Sequence, residues 1–438
     1  MKLTIDNSKI LKPYYEDNAT PPSINDYMPL TVFDKVNYDT QVAVIFAYRP
    51  PTPPNAILEL GLRKALSVFR PFAGRLSIDK NDDPIILLND EGVKFIEVSV
   101  DGSLDETVSF EPSANLKMLH PSTQGVDELV QVQLTRFRCG SMVVGFVSHH
   151  FVADGQGTSN FLVAWGQATR GVDISPVPFL DRNNNVFTPR ELPQFDQFEH
   201  RGVEYMSKRL NYTPSENGIL EDEILVHKVR YSREFLAKLK TIASSELGEK
   251  RPYSTFESLL GHVWRTMTKA RGLNEDETTH VKVSVNGRMR LKPNVPNYFG
   301  NLVLWALPTS TVKDLTNEPL SFAAKAIHDS VAKLNNEYFT SFIDFANYKI
   351  KEEDLIPTAD CSKRILTPNV NVDSWLRFPF YDLDFGTGCP FAFMPTYIPV
   401  DGLIFLLPTS PEDGSVDVVV SLFKDKLETF KEICYCVE

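Results

Sequence analysis

Apolar and polar positions change period many times along the chain, and the changes predict strands and helices mixed through both halves. Residues 41–48 and 142–147 are almost unbroken apolar runs, the pattern of strands covered on both faces. Val130, Val132 and Leu134 alternate with polar residues and predict a strand over 128–137 that feeds into the second of those runs. From Asn55, the positions Leu58, Leu62, Ala65, Leu66 and Phe69 mark one helix face, closed by Pro71. Ile85 to Leu88 and Val93 to Val100 flank Asn89-Asp90-Glu91-Gly92, which predicts a hairpin. The clearest helix spans 254–271: Phe256, Leu259, Leu260, Val263, Trp264 and Met267 form its stripe, Ser254 and Glu257 a capping box, and Gly272 its stop. His262 falls off that stripe and reads as structural. Further on, Val281, Val283 and Val285 predict a strand, 320–335 a helix, and 403–407 with 416–422 a hairpin about Pro411-Glu412-Asp413-Gly414. Leu427, Phe430, Cys434 and Val437 suggest a terminal amphipathic helix.

The stretch after Gly171 is different. Residues 172–219 are polar, proline-studded and aperiodic, so they read as a linker between an N-terminal domain, 1–171, and a C-terminal domain, 220–438. A length of 438 residues suits two domains. The net charge of -12 weighs against nucleic acid or an anionic membrane as partner. Five cysteines match no zinc spacing, so no metal is expected and the thiols read as reduced. No signal-like or bilayer-length apolar run is present, and the chain reads as soluble, cytoplasmic and monomeric.

Chemistry can begin where the 142–147 strand ends, at Ser148-His149-His150-Phe151-Val152-Ala153-Asp154-Gly155. Phe161, Leu162, Trp165 and Ala168 then fall at helical spacing, so the motif is a strand-to-helix turn with Asp154 as N-cap. Such a turn can hold His150 as a general base, because imidazole titrates near neutrality. Taken alone, the same residues also fit two polar strand-end histidines and a cap.

A glycine-bearing turn far downstream, Asp384-Phe385-Gly386-Thr387-Gly388, changes the weighing. With His150-Phe151-Val152-Ala153-Asp154 mid-chain, Pro71-Phe72-Ala73-Gly74-Arg75-Leu76 before it and Tyr298-Phe299-Gly300-Asn301 between, the chain resembles the plant BAHD acyltransferases over its whole length. Those enzymes carry an HXXXD motif and a DFGWG motif; here Thr387 stands where the family usually has Trp. The resemblance implies an α/β fold of two chloramphenicol-acetyltransferase-like domains, mixed sheets flanked by helices, with a channel at their interface. It implies His150 as general base, Asp154 in a structural ion pair rather than a relay, and Asp384 paired with Arg288, or failing that Arg290. His149 receives no role.

It also implies acyl-CoA as co-substrate, with no bound cofactor and no covalent intermediate, and no Gly-x-Ser-x-Gly nucleophile elbow is present. Lys250, Arg251, Ser254 and Thr255, at the start of the strongest helix, are candidates for the CoA phosphates because a helix N-terminus favours anions. In shikimate-using relatives the segment before DFGWG reads roughly T-S-W-x-R-L-P; here it is Asp373-Ser374-Trp375-Leu376-Arg377-Phe378-Pro379. A carboxylate at Asp373 suits a cationic acceptor, and Trp375 can stack on an aromatic acyl group. Phe33-Asp34-Lys35-Val36 and residues 163–171 resemble the amine-acylating branch typified by agmatine coumaroyltransferases. The expected reaction is hydroxycinnamoyl transfer from CoA to a small amine. The rivals are O-acyl transfer to an alcohol or phenol, a non-catalytic binding protein of the same fold, and an unrelated hydrolase, for which no nucleophile is visible.

Overall fold

The computed structural model describes residues 1–16, 21–194, 196–208, 223–248, 251–359, 362–409 and 413–437. Its packing divides the chain into two compact units. The first joins Met1–Thr188 with Pro293–Leu302 and Phe378–Tyr397; the second joins Pro189–Lys292, Val303–Arg377 and Ile398–Glu438. The domain boundaries expected from sequence therefore need correction: two short segments of the later half belong to the first unit, and the DFGxG loop with them. Nor is the expected 172–219 linker a separate element where it is described: residues 172–194 and 196–208 divide between the units at Thr188, and 195 and 209–219 lie outside the described residues. A few anchors hidden in its polar composition account for this: Arg182 and Phe187 are buried at 5% and 7% exposure, and Arg190 pairs with the fully buried Asp344 at 2.6 Å.

In the first unit a six-stranded mixed sheet runs in the order Thr4–Leu11, Val93–Val100, Val130–Phe137, Met142–His149, Gln41–Tyr48, Ala392–Pro395. The two apolar runs of the sequence are its central neighbours, antiparallel, with Gln41 opposite His149 and Tyr48 opposite Met142. Both are covered on their two faces, as unbroken hydrophobicity requires. The expected hairpin across Asn89–Gly92 does not form: Pro84–Leu87 joins a three-stranded sheet with Tyr27–Pro29 and Arg75–Ile78, whereas Val93–Val100 pairs with the first strand and with Val130–Phe137. Asp90 is instead held by Arg70 at 2.8 Å, so the turn redirects the chain between sheets. Helices Asn55–Val68 and Gly155–Thr169 pack closely, Trp165 Nε1 donating to Leu58 O at 2.8 Å. A Cβ on Gly61 would lie 2.1 Å from Thr169 Oγ1, so only glycine permits this approach. Phe72 forms edge contacts with Phe146, Phe161 and Phe299, at centroid distances of 6.4, 4.9 and 5.0 Å.

The second unit carries a seven-stranded sheet: Ile224–Tyr231, Val416–Phe423, Leu403–Pro408, Val370–Ser374, Thr278–Asn286 and Val303–Ala306 in order, with Thr309–Thr311 also on Thr278–Asn286. The strands Leu403–Pro408 and Val416–Phe423 pair as predicted, while Pro411 and Glu412 of their turn lie outside the described residues. Helix Thr255–Arg271 has the predicted capping box and ends on Gly272 in the left-handed region, φ 63°. Helix Lys424–Ile433 ends the described fold. Sequence reading missed the helix Asn336–Glu353, capped by Asn335. Cys139, Cys389, Cys434 and Cys436 are free thiols, and Cys361 lies outside the described residues.

His262 is buried as well as off the stripe, its Nε2 bonding to Cys434 O at 2.7 Å. Burial pushes its pKa down to about 4, against a smaller opposing effect of the Cys434 carbonyl. The folded state thus favours neutral imidazole, so the stabilisation is complete above the ordinary value near 6.5 and is lost as pH falls toward 4. The loss amounts to roughly 2 to 4 kcal/mol. Thermal midpoints measured from pH 7 to 4.5 should fall less steeply for His262→Gln than for the wild type; equal slopes would assign the acid sensitivity to other groups.

Candidate active site

Strand Met142–His149 delivers the motif, and helix Gly155–Thr169 leaves it. Between them nearly every turn of backbone is tied down. His150 N donates to Thr40 O at 2.8 Å, and Val152 N to His149 O at 3.1 Å. Phe151 N donates to His149 Nδ1 at 3.3 Å, while His149 Nε2 faces Asp39 Oδ1 at 3.4 Å. That pattern places the His149 proton on Nε2, and burial lowers its pKa, Asp39 only partly opposing. His149, which had no role from sequence, therefore shapes the loop as a neutral acceptor.

Asp154 is 3% exposed. Its Oδ1 accepts from Gly157 N at 2.9 Å, the predicted N-cap, and its Oδ2 accepts from Leu302 N at 3.0 Å. One carboxylate thus starts the helix and fastens it to the Tyr298–Leu302 segment. It does not reach His150 Nδ1, which is buried without a hydrogen-bond partner among the described residues. The arrangement is not a Ser-His-Asp relay. The His150 ring is half-buried and lies edge-on to Tyr38, 6.0 Å between centroids. A Cβ on Gly155 would lie 2.4 Å from the Phe378 ring, so that aromatic covers the first turn of the helix.

A buried polar cluster that sequence reading missed grips the same loop. Asn301 Nδ2 donates to His150 O at 2.8 Å and Arg182 Nη2 to Val152 O at 2.7 Å. Both donors also bind Asp34, at 2.9 Å from Asn301 Nδ2 and 2.6 Å from Arg182 Nη1. Asn301 closes the Tyr298-Phe299-Gly300-Asn301 segment and Asp34 lies in Phe33-Asp34-Lys35-Val36, but nothing in the sequence points to Arg182.

Asp384 corrects another expectation. Its partner is Arg170, 3.0 Å away, rather than Arg288 or Arg290. The loop sits over the far end of the motif helix, whose last turn presents Arg170: a Cβ on Gly166 would be 2.7 Å from Asp384 O, and Trp165 meets Phe385 edge-on at 4.8 Å. Arg288 bonds Asn286 Oδ1 through its backbone N–H at 3.0 Å, and Arg290 bonds the carbonyl of Val331 at 3.0 Å. Burial alone would raise the Asp384 pKa, but the N–H groups of Gly386 and Gly388, with Arg170, hold it below the usual carboxylate range. Those glycines have φ of 99° and 108°, which few other residues adopt. Thr387 between them is exposed, so the missing Trp removes no buried packing. The motif helix is 15 residues long, so Asp384 stands roughly 20 Å from its start and cannot touch reacting atoms at His150.

The remaining candidates lie in the second unit. Ser254 Oγ donates to Glu257 Oε2 at 2.6 Å and accepts from Glu257 N at 3.2 Å, so a protein carboxylate already serves this helix start. Arg251 is exposed, Thr255 is partly exposed, and Lys250 lies outside the described residues. Asp373 accepts from Ser284 Oγ at 3.2 Å. Lys282, on the same strand as Ser284, senses the Asp373 charge. Burial pushes Lys282 down to about 8, and the carboxylates of Glu204 and Asp373 oppose this. Trp375 is 9% exposed and meets Phe405 edge-on at 5.4 Å.

One further cluster has the outline of a hydrolase triad: His200 Nε2 lies 3.2 Å from Ser341 Oγ and His200 Nδ1 lies 3.0 Å from Glu204 Oε2. Ser341, His200 and Glu204 are 1%, 0% and 0% exposed, and Tyr338 also donates to Glu204 at 2.9 Å. Sealed from solvent, the cluster ties helix Asn336–Glu353 to the chain near residue 200.

The model of the Transferase family matches residues 1–436. The chain belongs to this family, the BAHD acyltransferases. Among its relatives, agmatine hydroxycinnamoyltransferase 1 of Oryza sativa subsp. japonica is 49% identical over 446 residues, covering 99% of each chain. Agmatine coumaroyltransferase-1 of Hordeum vulgare is 49% identical over 444 residues, covering 100% of each. Putrescine hydroxycinnamoyltransferase 3 of Oryza sativa subsp. japonica is 45% identical, again over 100% of each. Among solved structures, vinorine synthase superposes with a TM-score of 0.71 at 20% identity, covering 98% of this chain and 96% of that one. F. graminearum TRI101, complexed with coenzyme A and deoxynivalenol, gives 0.76 at 16% identity, covering 93% and 97%. The fold of this BAHD chain is thus the one those structures share, two α/β units with mixed sheets flanked by helices. Among the described residues no helix is long and apolar enough to cross a membrane.

Proposed function

We propose that the protein is a CoA-dependent N-acyltransferase that moves a hydroxycinnamoyl group from its CoA thioester to a small amine such as agmatine. The observation that carries this reading is the 49% identity, end to end, with two agmatine acyltransferases. His150 is the general base. An aliphatic ammonium has a pKa near 10, so about one amine in a thousand is nucleophilic at neutral pH. Because Nδ1 is the covered nitrogen, Nε2 is the one available to take a proton. As the amine nitrogen attacks the thioester carbonyl, its proton passes to His150, the C–S bond breaks, and His150 returns a proton to the CoA thiolate. An amide and free CoA result, with no acyl-enzyme.

Asp34, Asp154 and Asp384 act structurally in this reading, while Asp373 meets the acceptor's positive charge and Trp375 lines the acyl side. Arg251, Thr255 and Lys250 remain the candidates for the CoA phosphates; Ser254 contributes as the helix cap. The reading also holds the protein to be a cytoplasmic monomer without a bound cofactor. Asp373→Ala should raise the KM for agmatine about ten- to a hundredfold, equivalent to roughly 1.4 to 2.7 kcal/mol, and leave the KM for acyl-CoA unchanged. An unchanged agmatine KM would remove Asp373 from the acceptor site.

A further inference from the structure

We infer that Asp34, Arg182 and Asn301 are positioning residues for His150, a buried clamp that fixes the backbone on both sides of Phe151 and so the point from which the imidazole projects. The inference rests on the proposed role of His150 as proton acceptor and names what makes that role possible.

The carbonyl of His150 and the carbonyl of Val152 each accept one side-chain hydrogen bond, from Asn301 Nδ2 at 2.8 Å and from Arg182 Nη2 at 2.7 Å. A single carboxylate joins the two donors. Asp34 Oδ1 takes Asn301 N at 3.0 Å and Nδ2 at 2.9 Å, and Oδ2 takes Arg182 Nη1 at 2.6 Å. Asp34 is itself held by Thr31 N and Thr31 Oγ1, both at 2.8 Å. Exposure is 0% for Asp34, 5% for Arg182 and 0% for Asn301, so the cluster works in a low dielectric where each bond is strong and each loss is costly.

The geometry suits positioning in two particulars. Asn301 Nδ2 faces two oxygens, which settles the amide orientation: the opposite one would set Oδ1 against both acceptors. Arg182 spreads two nitrogens of one rigid plane over Asp34 and Val152 O, a task a lysine ammonium cannot reproduce with one nitrogen at the same span. With His150 N also bonded to Thr40 O, the peptide groups before and after His150 are both fixed. Side-chain rotation is the freedom that remains. Misplacing a reacting group by about 1 Å costs on the order of a hundredfold in rate.

The test uses the full-length protein with coumaroyl-CoA and agmatine as probes, and makes Asn301→Ala and Arg182→Lys each alone and in a His150→Ala background. Each single variant should lower kcat about a hundredfold, with the KM for acyl-CoA within about twofold. In the His150→Ala background the same changes should lower the residual rate no further, because there is no base left to position. A kcat within about threefold of wild type in either folded variant overturns the inference, as does an equal drop in both backgrounds, which marks a merely structural role. If Asn301→Ala fails to fold, Arg182→Lys, which keeps a charge opposite Asp34, carries the same test. A fully active His150→Ala sinks the proton-acceptor reading itself, whereas an inactive His150→Ala beside unimpaired clamp variants sinks the clamp alone.

Discussion

Replacing His150 with alanine is expected to lower kcat about a thousandfold while the protein folds as the wild type does. A positioned base contributes on the order of a hundred- to ten-thousandfold, and the need is large here because an ammonium acceptor must lose a proton before or during attack. Stability should change little, since the His150 Nδ1 makes no hydrogen bond that the substitution would break. The KM for acyl-CoA should likewise hold, because the residues proposed to hold the CoA phosphates, Arg251, Thr255 and Lys250, are unchanged. Steady-state kinetics on the purified variant, with circular dichroism as the control, reads both halves of the statement. A kcat near the wild-type value would exclude His150 as the base, however well the motif matches.

The largest expected effect on stability belongs to Asp34→Ala. The substitution leaves Arg182, 5% exposed, as a buried cation without its carboxylate, and strips acceptors from Asn301 N, Asn301 Nδ2 and Thr31 Oγ1. Breaking a buried pair in this way costs about 3 to 5 kcal/mol, most of it the unpaired charge. The Asp384–Arg170 pair offers the contrast. Its side chains are 25% and 32% exposed, and solvent screening limits the ion pair itself to about 1 kcal/mol or less. Thermal unfolding of the two alanine variants side by side should therefore show a much larger drop in midpoint for Asp34. Comparable drops would mean that the buried cluster does not carry the weight its geometry assigns.

What sequence revealed and what it hid divide along sequence distance. The strand-turn-helix at His150, the Asp154 cap, and the capping box and glycine stop of Thr255–Arg271 are local patterns, written in a few adjacent residues, and each was legible. Partners were not. Asp384 finds Arg170 across 214 positions, Asp34 finds Arg182 across 148 and Asn301 across 267, and no periodicity encodes such pairings. The strand at Val93–Val100 was visible, but alternation cannot say whether its neighbour is the strand just before it or one from the N-terminus. The helix Asn336–Glu353 could have been found: Asn335 is a good cap, and Phe339, Phe342, Ile343 and Ala346 follow at helical spacing. It begins three residues after the preceding helix ends at Lys333, with no glycine or proline between, and the two patterns run together. The interleaving of the units follows from the same limit, because Ala392–Pro395 joins the first unit's sheet through pairing with Gln41–Tyr48.

Amide formation is what sets the proposed reaction apart from the ester formation of its rivals. Its most direct test incubates the purified protein with coumaroyl-CoA and, in parallel, agmatine, putrescine, tryptamine and shikimate, reading acylated product by mass spectrometry and CoA release by thiol titration. Coumaroylagmatine with stoichiometric free CoA is the expected product, at a rate well above any ester formed from shikimate. Ester formation alone, or no CoA release with any acceptor, would contradict it.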